Sequence, residues 1–414
     1  MTTSTTSTTS ASAEVGGGPL QGIRVVELGV WVAGPAAGGI LADWGADVVK
    51  IEPPTGDPAR QFAAMLGGDL PFNPPFELDN RSKRDIVIDL ARPEGREVAE
   101  RLLVGADVFV TNIRLAALER LGLDPEAVTA RHPELVYAVL TGYGMEGPDR
   151  DRAAYDIAAF WARSGIAHML TQPGANPPFQ RGGMGDHGAG MATAAGISAA
   201  LVSRARTGRG QVVSTSLLRH GLYTIGFDIN TVLRLGVPLG VGNRKAMANP
   251  MINHYRDRDG AWFWLVGLEI ERHWPDLCRA VGRPDWIDDP RFRTGRDRAA
   301  NAADLTALLD EIFATRSIAE WGPVLDANDV WWAPVQDLDQ VIADPQVHAS
   351  GAFVEVPDGG RTTTMVATPV DFSGTPWAPR AMPPEMGQHT DAILAEVGYD
   401  AAEISALRRA GAVR

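Results

Sequence analysis

The 414 residues contain a single cysteine, Cys278, so no intrachain disulfide can form, and a reducing cytoplasm is the expected compartment. Cys278 lies in ERHWPDLCRAVG, where apolar residues recur at helical spacing, and it reads as a buried structural thiol rather than a nucleophile. Positive charge is short as well. Lys and Arg number 38 against 51 Asp and Glu, a net charge of −13. That excludes a general binder of nucleic acid or anionic membrane, which needs a basic face. It leaves room for an anionic small ligand in a locally basic pocket. No apolar run reaches the ~18 residues that span a bilayer. The opening MTTSTTSTTSASAEVGGG has neither a basic region nor a hydrophobic core, so it is no signal peptide; it reads as a disordered Ser/Thr-rich tail over 1–18. The eight histidines are scattered with no HxH or HExxH pairing, and no metal site is expected. No GxSxG occurs, which weakens an α/β-hydrolase reading.

What the chain does contain is alternation. IRVVEL reads as a strand, AAGGILADWGA as a helix, DVVKIE as the next strand. DIVIDL, DVFVTN and PELVYAVLT read as further strands, separated by the helices PEGREVAERLLVGA and LAALERLGL. Such β-α-β succession implies a parallel sheet and an α/β fold. The middle differs: a small-residue helix over 187–206, then a second unit from about 240 to 345 by pattern reading. It has a hairpin in HYRDRDGAWFWLVG, helices around 270–282, 302–315 and 317–327, and an aromatic strand in VWWAPVQDL. More strands and a closing helix over 391–410 end the chain.

The loop GVWVAGPAAGG follows the first strand, and Glu52 ends the next, which invites a dinucleotide reading. The glycines at 29, 34, 38 and 39 do not form GxGxxG, and Pro35 occupies the turn, so the match is weak. Lys83, Arg84, Arg114 and Arg120 fall near strand ends, where α/β proteins bind ligands. Each alone reads as surface charge; together, in an acidic chain, they hint at an anionic ligand. In GGMGDHGAG, residues 182–190, one carboxylate stands among five glycines. Asp186 is there either to cap the helix that follows or to act as a nucleophile where glycines admit a substrate and a helix N-terminus favours negative charge. Tyr155 and Asp156 precede it by about thirty residues, and a second carboxylate nearby would raise the pKa of the first.

The blocks LQGIRVVELGVWVAGPAAGGILADWGADVVKIEPPTGD, NRSKRDIVIDLARPEGREV, GYGMEGPDRDRAAYD, GDHGAGMATAAGISAALVSRARTGRGQVVSTSL, DDPRFRT, DPQVHASGAFVEV and MGQHTDAILAEVGYD run in order from Pro19 to Val413. With them the chain resembles the family III (CaiB/BaiF type) CoA-transferases, the group of formyl-CoA transferase, carnitine CoA-transferase and, by divergence, α-methylacyl-CoA racemase. The resemblance implies an acyl-CoA:carboxylate CoA-transferase in which Asp186 is the nucleophile and an aspartyl-CoA thioester the intermediate. Tyr155 and Asp156 would flank the thioester. Coenzyme A would be met by Val32, Ala33, Ile88, Leu90, Ala91, Asn112, Ile113, Arg114, Arg120, Ala153 and Ala154. No tightly bound cofactor is implied; the partners are acyl-CoA and an organic acid acceptor.

The resemblance also implies a Rossmann-like large domain built from both chain ends (19–230 and 346–414), a smaller α+β middle domain over 231–345, and an interlocked homodimer. Two departures stand out. Val32 replaces the glutamine of formyl-CoA transferase, and KAMANP (245–250) replaces its glycine run, which puts formyl or oxalyl chemistry in doubt. Trp331 and Trp332 would wall an acceptor pocket or serve domain packing, and they lean the acceptor toward a larger or apolar acid. The alternatives are a racemase, or a CoA-binding protein without chemistry. Tyr155 stands where the racemase branch has its histidine, and tyrosine, with a pKa near 10, is a poor base at neutral pH.

Overall fold

A computed structural model of the chain describes residues 17–65, 67–68, 70–237 and 239–414. Of the tail expected over 1–18, residues 1–16 lie outside the described residues. The chain forms two compact units. One gathers residues up to Ile166, then Phe179–Gly236 and Ala349–Arg414; the other takes Ala167–Pro178 and Val237–His348.

The first unit is built on six strands: β1 Arg24–Leu28, β2 Asp47–Glu52, β3 Arg84–Val87, β4 Val108–Thr111, β5 Val136–Thr141 and β6 Val212–Ser216. They pair in the order β3-β2-β1-β4-β5-β6, and every pairing is parallel. The fold is therefore mixed α/β, as the alternation predicts. The central strands are runs of β-branched and apolar residues because both faces are covered. Alternate residues divide between two cores. Val26, Val49, Phe109 and Tyr137 face one layer with the helix Pro93–Leu103, while Val25, Val48, Val108 and Val136 face another that includes Leu41 of the helix Ala33–Asp43 and Ile197 of the helix Met184–Thr207. A hairpin near the end of the chain completes this unit's strands: β10 Phe353–Asp358 pairs antiparallel with β11 Arg361–Val366. The segment 390–413 returns to the first core, with Ile393, Leu394 and Val413 buried there and Val413 bridged to Ile88.

Two expectations are corrected. The closing helix over 391–410 is two helices, Thr390–Glu396 and Ala401–Arg409, separated at Gly398, whose φ of 93° no right-handed helix permits. The helix expected over 187–206 starts earlier, at Met184, which places Asp186 inside its first turn rather than in a preceding loop.

The second unit carries β7 Ile252–Arg256, β8 Trp262–Val266 and β9 Trp332–Pro334 in one antiparallel sheet. The helices His273–Ala280, Ala302–Phe313 and Ile318–Ala327 supply its core with the sheet, around Trp274, Trp286, Phe313 and Trp321. Cys278 is buried in that core, and burial pushes its thiol up to about 12, too high for a thiolate at neutral pH. Trp332 donates from its indole to Asp326 at 2.8 Å, and Trp331 lies 4.8 Å from the His273 ring. No described helix is long and apolar enough to cross a membrane.

Candidate active site

In an open parallel sheet a ligand crevice lies outside the carboxyl ends of the strands, where the strand order reverses. Here that point lies between β1 and β4. The loop after β1 is tied to the loop after β4 by one side chain. Asn112 accepts from the Val30 N–H at 3.0 Å and donates to the Val30 carbonyl at 2.8 Å. Thr111, just before it, donates to the Leu28 carbonyl at 2.7 Å, and its hydroxyl accepts from the Ile113 N–H. Asn112 thus spends its amide on the loop, and Ile113 packs against the first core.

The β1 loop rests on buried charge. Lys50 Nζ reaches the Gly29 carbonyl at 2.9 Å, Glu27 at 3.0 Å and Asp57 at 2.9 Å. Asp57 in turn accepts from the Trp31 N–H at 3.0 Å. Trp31 is held at φ +65°, a conformation costing of order 1–3 kcal/mol for a non-glycine residue. Its ring stands edge-on to Tyr155 at 5.7 Å and to Phe62 at 5.5 Å. Val32, half-buried, and Ala33, buried, open the helix Ala33–Asp43.

Four basic residues were candidates for phosphate, and they separate into two pairs. Lys83 is fully buried, 2.7 Å from Glu27 and 2.8 Å from the Pro35 carbonyl, and burial holds its ammonium below the usual range. Arg84 pairs with Asp47 and Glu396. Both are consumed by the fold, which corrects the expectation that they meet a ligand. Arg114 and Arg120 are exposed and make no ion pair among the described residues. Arg114 is the N-cap residue of the helix Leu115–Leu121 that follows β4, and Arg120 lies in its last turn. Glu52, the acid a dinucleotide ribose would need, is instead paired with Arg60 at 2.7 Å. Ile88 is buried in the core; Leu90 and Ala91 follow it in the turn beyond β3, where the Ala91 N–H donates to Asp89. Ala153 and Ala154 precede Tyr155 in the loop after β5.

That loop delivers Asp156 to Asp186. Asp156 is buried, and its Oδ2 accepts from the Gly185 N–H at 3.1 Å; its Oδ1 is buried without a hydrogen-bond partner. Gly185 permits this approach: a Cβ there would lie 2.2 Å from Phe160 and 2.5 Å from Asp156 Oδ1. Asp186, one residue on, accepts no hydrogen bond among the described residues. Burial pushes its carboxyl up to about 7, the Asp156 carboxylate adds to that, and His187 opposes it. Spacing alone leaves open whether Asp156 and Asp186 meet; the fold brings them together. Spacing gave no sign of two neighbouring features: the contact of His187 with the buried Asp79 at 3.1 Å, and the strained Trp31. A tryptophan in a glycine-rich loop was the available signal for the second. No cluster of three or more metal-ligating side chains occurs among the described residues.

The sequence profile of CoA-transferase family III matches residues 20–390. The chain belongs to this family. Two relatives extend over nearly its whole length. (R)-2-Hydroxy-4-methylpentanoate CoA-transferase of Clostridioides difficile is 32% identical over 402 residues, covering 95% of this chain and 99% of the relative. Cinnamoyl-CoA:phenyllactate CoA-transferase of Clostridium sporogenes is 32% identical over 396 residues, covering 94% and 95%. Among solved structures, a CaiB/BaiF family protein from Brucella suis superposes with a TM-score of 0.80 at 32% identity, over 92% of this chain and 99% of that one. This family III CoA-transferase is accordingly an enzyme of acyl-CoA transfer, with CoA thioesters as its substrates.

Proposed function

We propose that the enzyme moves coenzyme A from an acyl-CoA donor to a carboxylate acceptor through a thioester formed on Asp186. The observation that carries this is the Asp186 carboxylate itself: unpaired, partly buried, in the first turn of a 24-residue helix at the strand-end edge of the sheet. Desolvation makes it a better nucleophile than a solvated carboxylate, and the helix N-terminus still supports its charge. A carboxylate oxygen attacks the thioester carbonyl, the C–S bond breaks, and CoA thiolate departs from a mixed anhydride. The thiolate then attacks the Asp186 carbonyl, the C–O bond breaks, and the donor acid leaves, giving aspartyl-CoA. The acceptor carboxylate attacks this thioester and releases thiolate. Thiolate attack on the acceptor's carbonyl carbon yields the new acyl-CoA and frees Asp186. Each step exchanges one acyl bond for another, so the thioester energy is kept.

Arg114 and Arg120 are the proposed phosphate contacts, because they are the free cations beside β4. Val32, Ala33, Ile88, Leu90, Ala91, Asn112, Ile113, Ala153 and Ala154 are proposed to form the CoA channel, with Tyr155 and Asp156 at the thioester. The rings of Trp31, Phe62 and Tyr155 favour an apolar or aromatic acid, and the acids named for the two relatives carry such side chains. We further propose a homodimer, from the apolar residues exposed on 217–235, and a reducing cytoplasm, from the lone buried thiol.

The test is intact mass after incubation with a panel of acyl-CoAs, with and without hydroxylamine, for the wild type and Asp186→Ala. A CoA-sized, hydroxylamine-sensitive adduct on the wild type alone is expected. α-Proton exchange into the acyl-CoA with no adduct would instead make the enzyme a racemase.

A further inference from the structure

His187 is the one residue next to the nucleophile that the proposed reaction leaves without work. Its imidazole Nε2 lies 3.1 Å from Oδ1 of Asp79, a carboxylate whose side chain is only 5% exposed. Asp79 comes from the helix Pro74–Asn80, more than a hundred residues earlier in the chain. The ring stacks over Gly183, where a Cβ would lie 3.0 Å from Cε1 and which has φ +79°, so the turn that starts the helix is shaped around it. The charged groups facing His187 are Asp79 from that helix, Asp186 from its own helix and Asp156 from the loop after β5. Lys83 and Glu27 face Asp79 from behind. Arg60, Glu77, Asp358, Arg361 and Glu385 line the same cavity of about 1030 Å³ that His187 borders.

We propose that His187 is a positioning residue: anchored by Asp79, its imidazolium sets a positive charge beside Asp186 and holds that carboxylate in the ionised, attacking form. This rests on the reading of Asp186 as nucleophile. Without such a charge, a carboxylate already disfavoured by burial, by Asp156 and more weakly by Asp79 itself would be protonated over more of the neutral range. The hydrogen bond to Asp79 raises the imidazole above its usual range. Burial pushes the Asp79 carboxyl up as well. Imidazole is the stronger base of the two and is 44% exposed, so the shared proton resides on His187.

The experiment measures the rate of adduct formation from pH 5.5 to 9 for the wild type, His187→Asn and His187→Lys, beside the imidazole titration of His187 by NMR in the wild type and Asp79→Asn. In His187→Asn the acid limb is expected to move up by half a pH unit or more. That is about a threefold or greater loss at pH 6, narrowing toward pH 9. His187→Lys restores the limb toward the wild-type position. The His187 titration falls in Asp79→Asn. An unmoved limb in an adduct-forming His187→Asn overturns the proposal, as does a His187 titration indifferent to Asp79. Absence of any adduct on the wild type is a different failure, that of Asp186 as nucleophile, and the NMR titration still reports on the pair.

Discussion

Two adjacent residues at the start of one helix have opposite fates. Asp186 is left without a hydrogen bond, and His187 is bound to a buried acid. Just before them stands Gly185, whose missing side chain lets Asp156 and Phe160 close on the helix. Gly185→Ala should destabilise the enzyme by about 1–3 kcal/mol through overpacking. It should also cut adduct formation by roughly a hundredfold or more, since a 1 Å displacement of reacting groups can cost that much. Thermal melting and the intact-mass assay check both; wild-type rates in this variant would show that the close approach has no functional weight. Asp186 was legible in the sequence because a carboxylate among five glycines is unusual and because its flanking blocks resemble a family. Asp79 was not, since nothing local marks an aspartate in NPPFELDN as the partner of a histidine in a later helix. Lys83 and Arg84 misled for a related reason: a basic residue at a strand looks the same in sequence whether it ends in solvent, on a buried glutamate as Lys83 does, or in surface ion pairs as Arg84 does.

The strands were readable because both faces of a parallel sheet are buried and each strand becomes a β-branched run. The helix Met184–Thr207 was readable in type and wrong by three residues at its start, because its first turn is glycine-rich and has no side-chain cap. The cross-link between the β1 and β4 loops lies beyond periodicity altogether. Asn112 makes it with both ends of one amide, and its loss leaves the Val30 N–H and carbonyl unpaired. Asn112→Ala is expected to cost about 1–3 kcal/mol in stability and to raise KM for acyl-CoA. Arg120→Ala should raise KM about tenfold or more, in line with loss of a charged hydrogen bond, and leave the melting temperature within a degree or two. Parallel melts and acyl-CoA titrations separate the two. A stability loss in Arg120→Ala would mean the arginine serves the fold rather than the ligand.

At the scale of the molecule, the first unit exposes a stretch that a water-facing surface does not require. Tyr223, Phe227 and Leu233 are 85%, 88% and 74% exposed, and no residue of the helix Gly226–Leu235 is buried. Burying side chains of this kind is worth roughly 1.5–3 kcal/mol each, which makes a second copy of the chain the proposed cover. Phe227→Asp should then lower the sedimentation coefficient from dimer to monomer at micromolar concentration. A wild-type protein that already sediments as a monomer would refute the dimer.

The return of residues 390–413 to the first core delays its completion until late in synthesis. The sixth strand is made by Ser216, yet the layer over β3 stays open until Val413 leaves the ribosome and bridges Ile88. At about 5–20 residues per second, the nascent sheet waits on the order of ten seconds or more with that apolar seam uncovered. A chain that lacked Val413 and its bridge to Ile88 would keep that seam open to solvent.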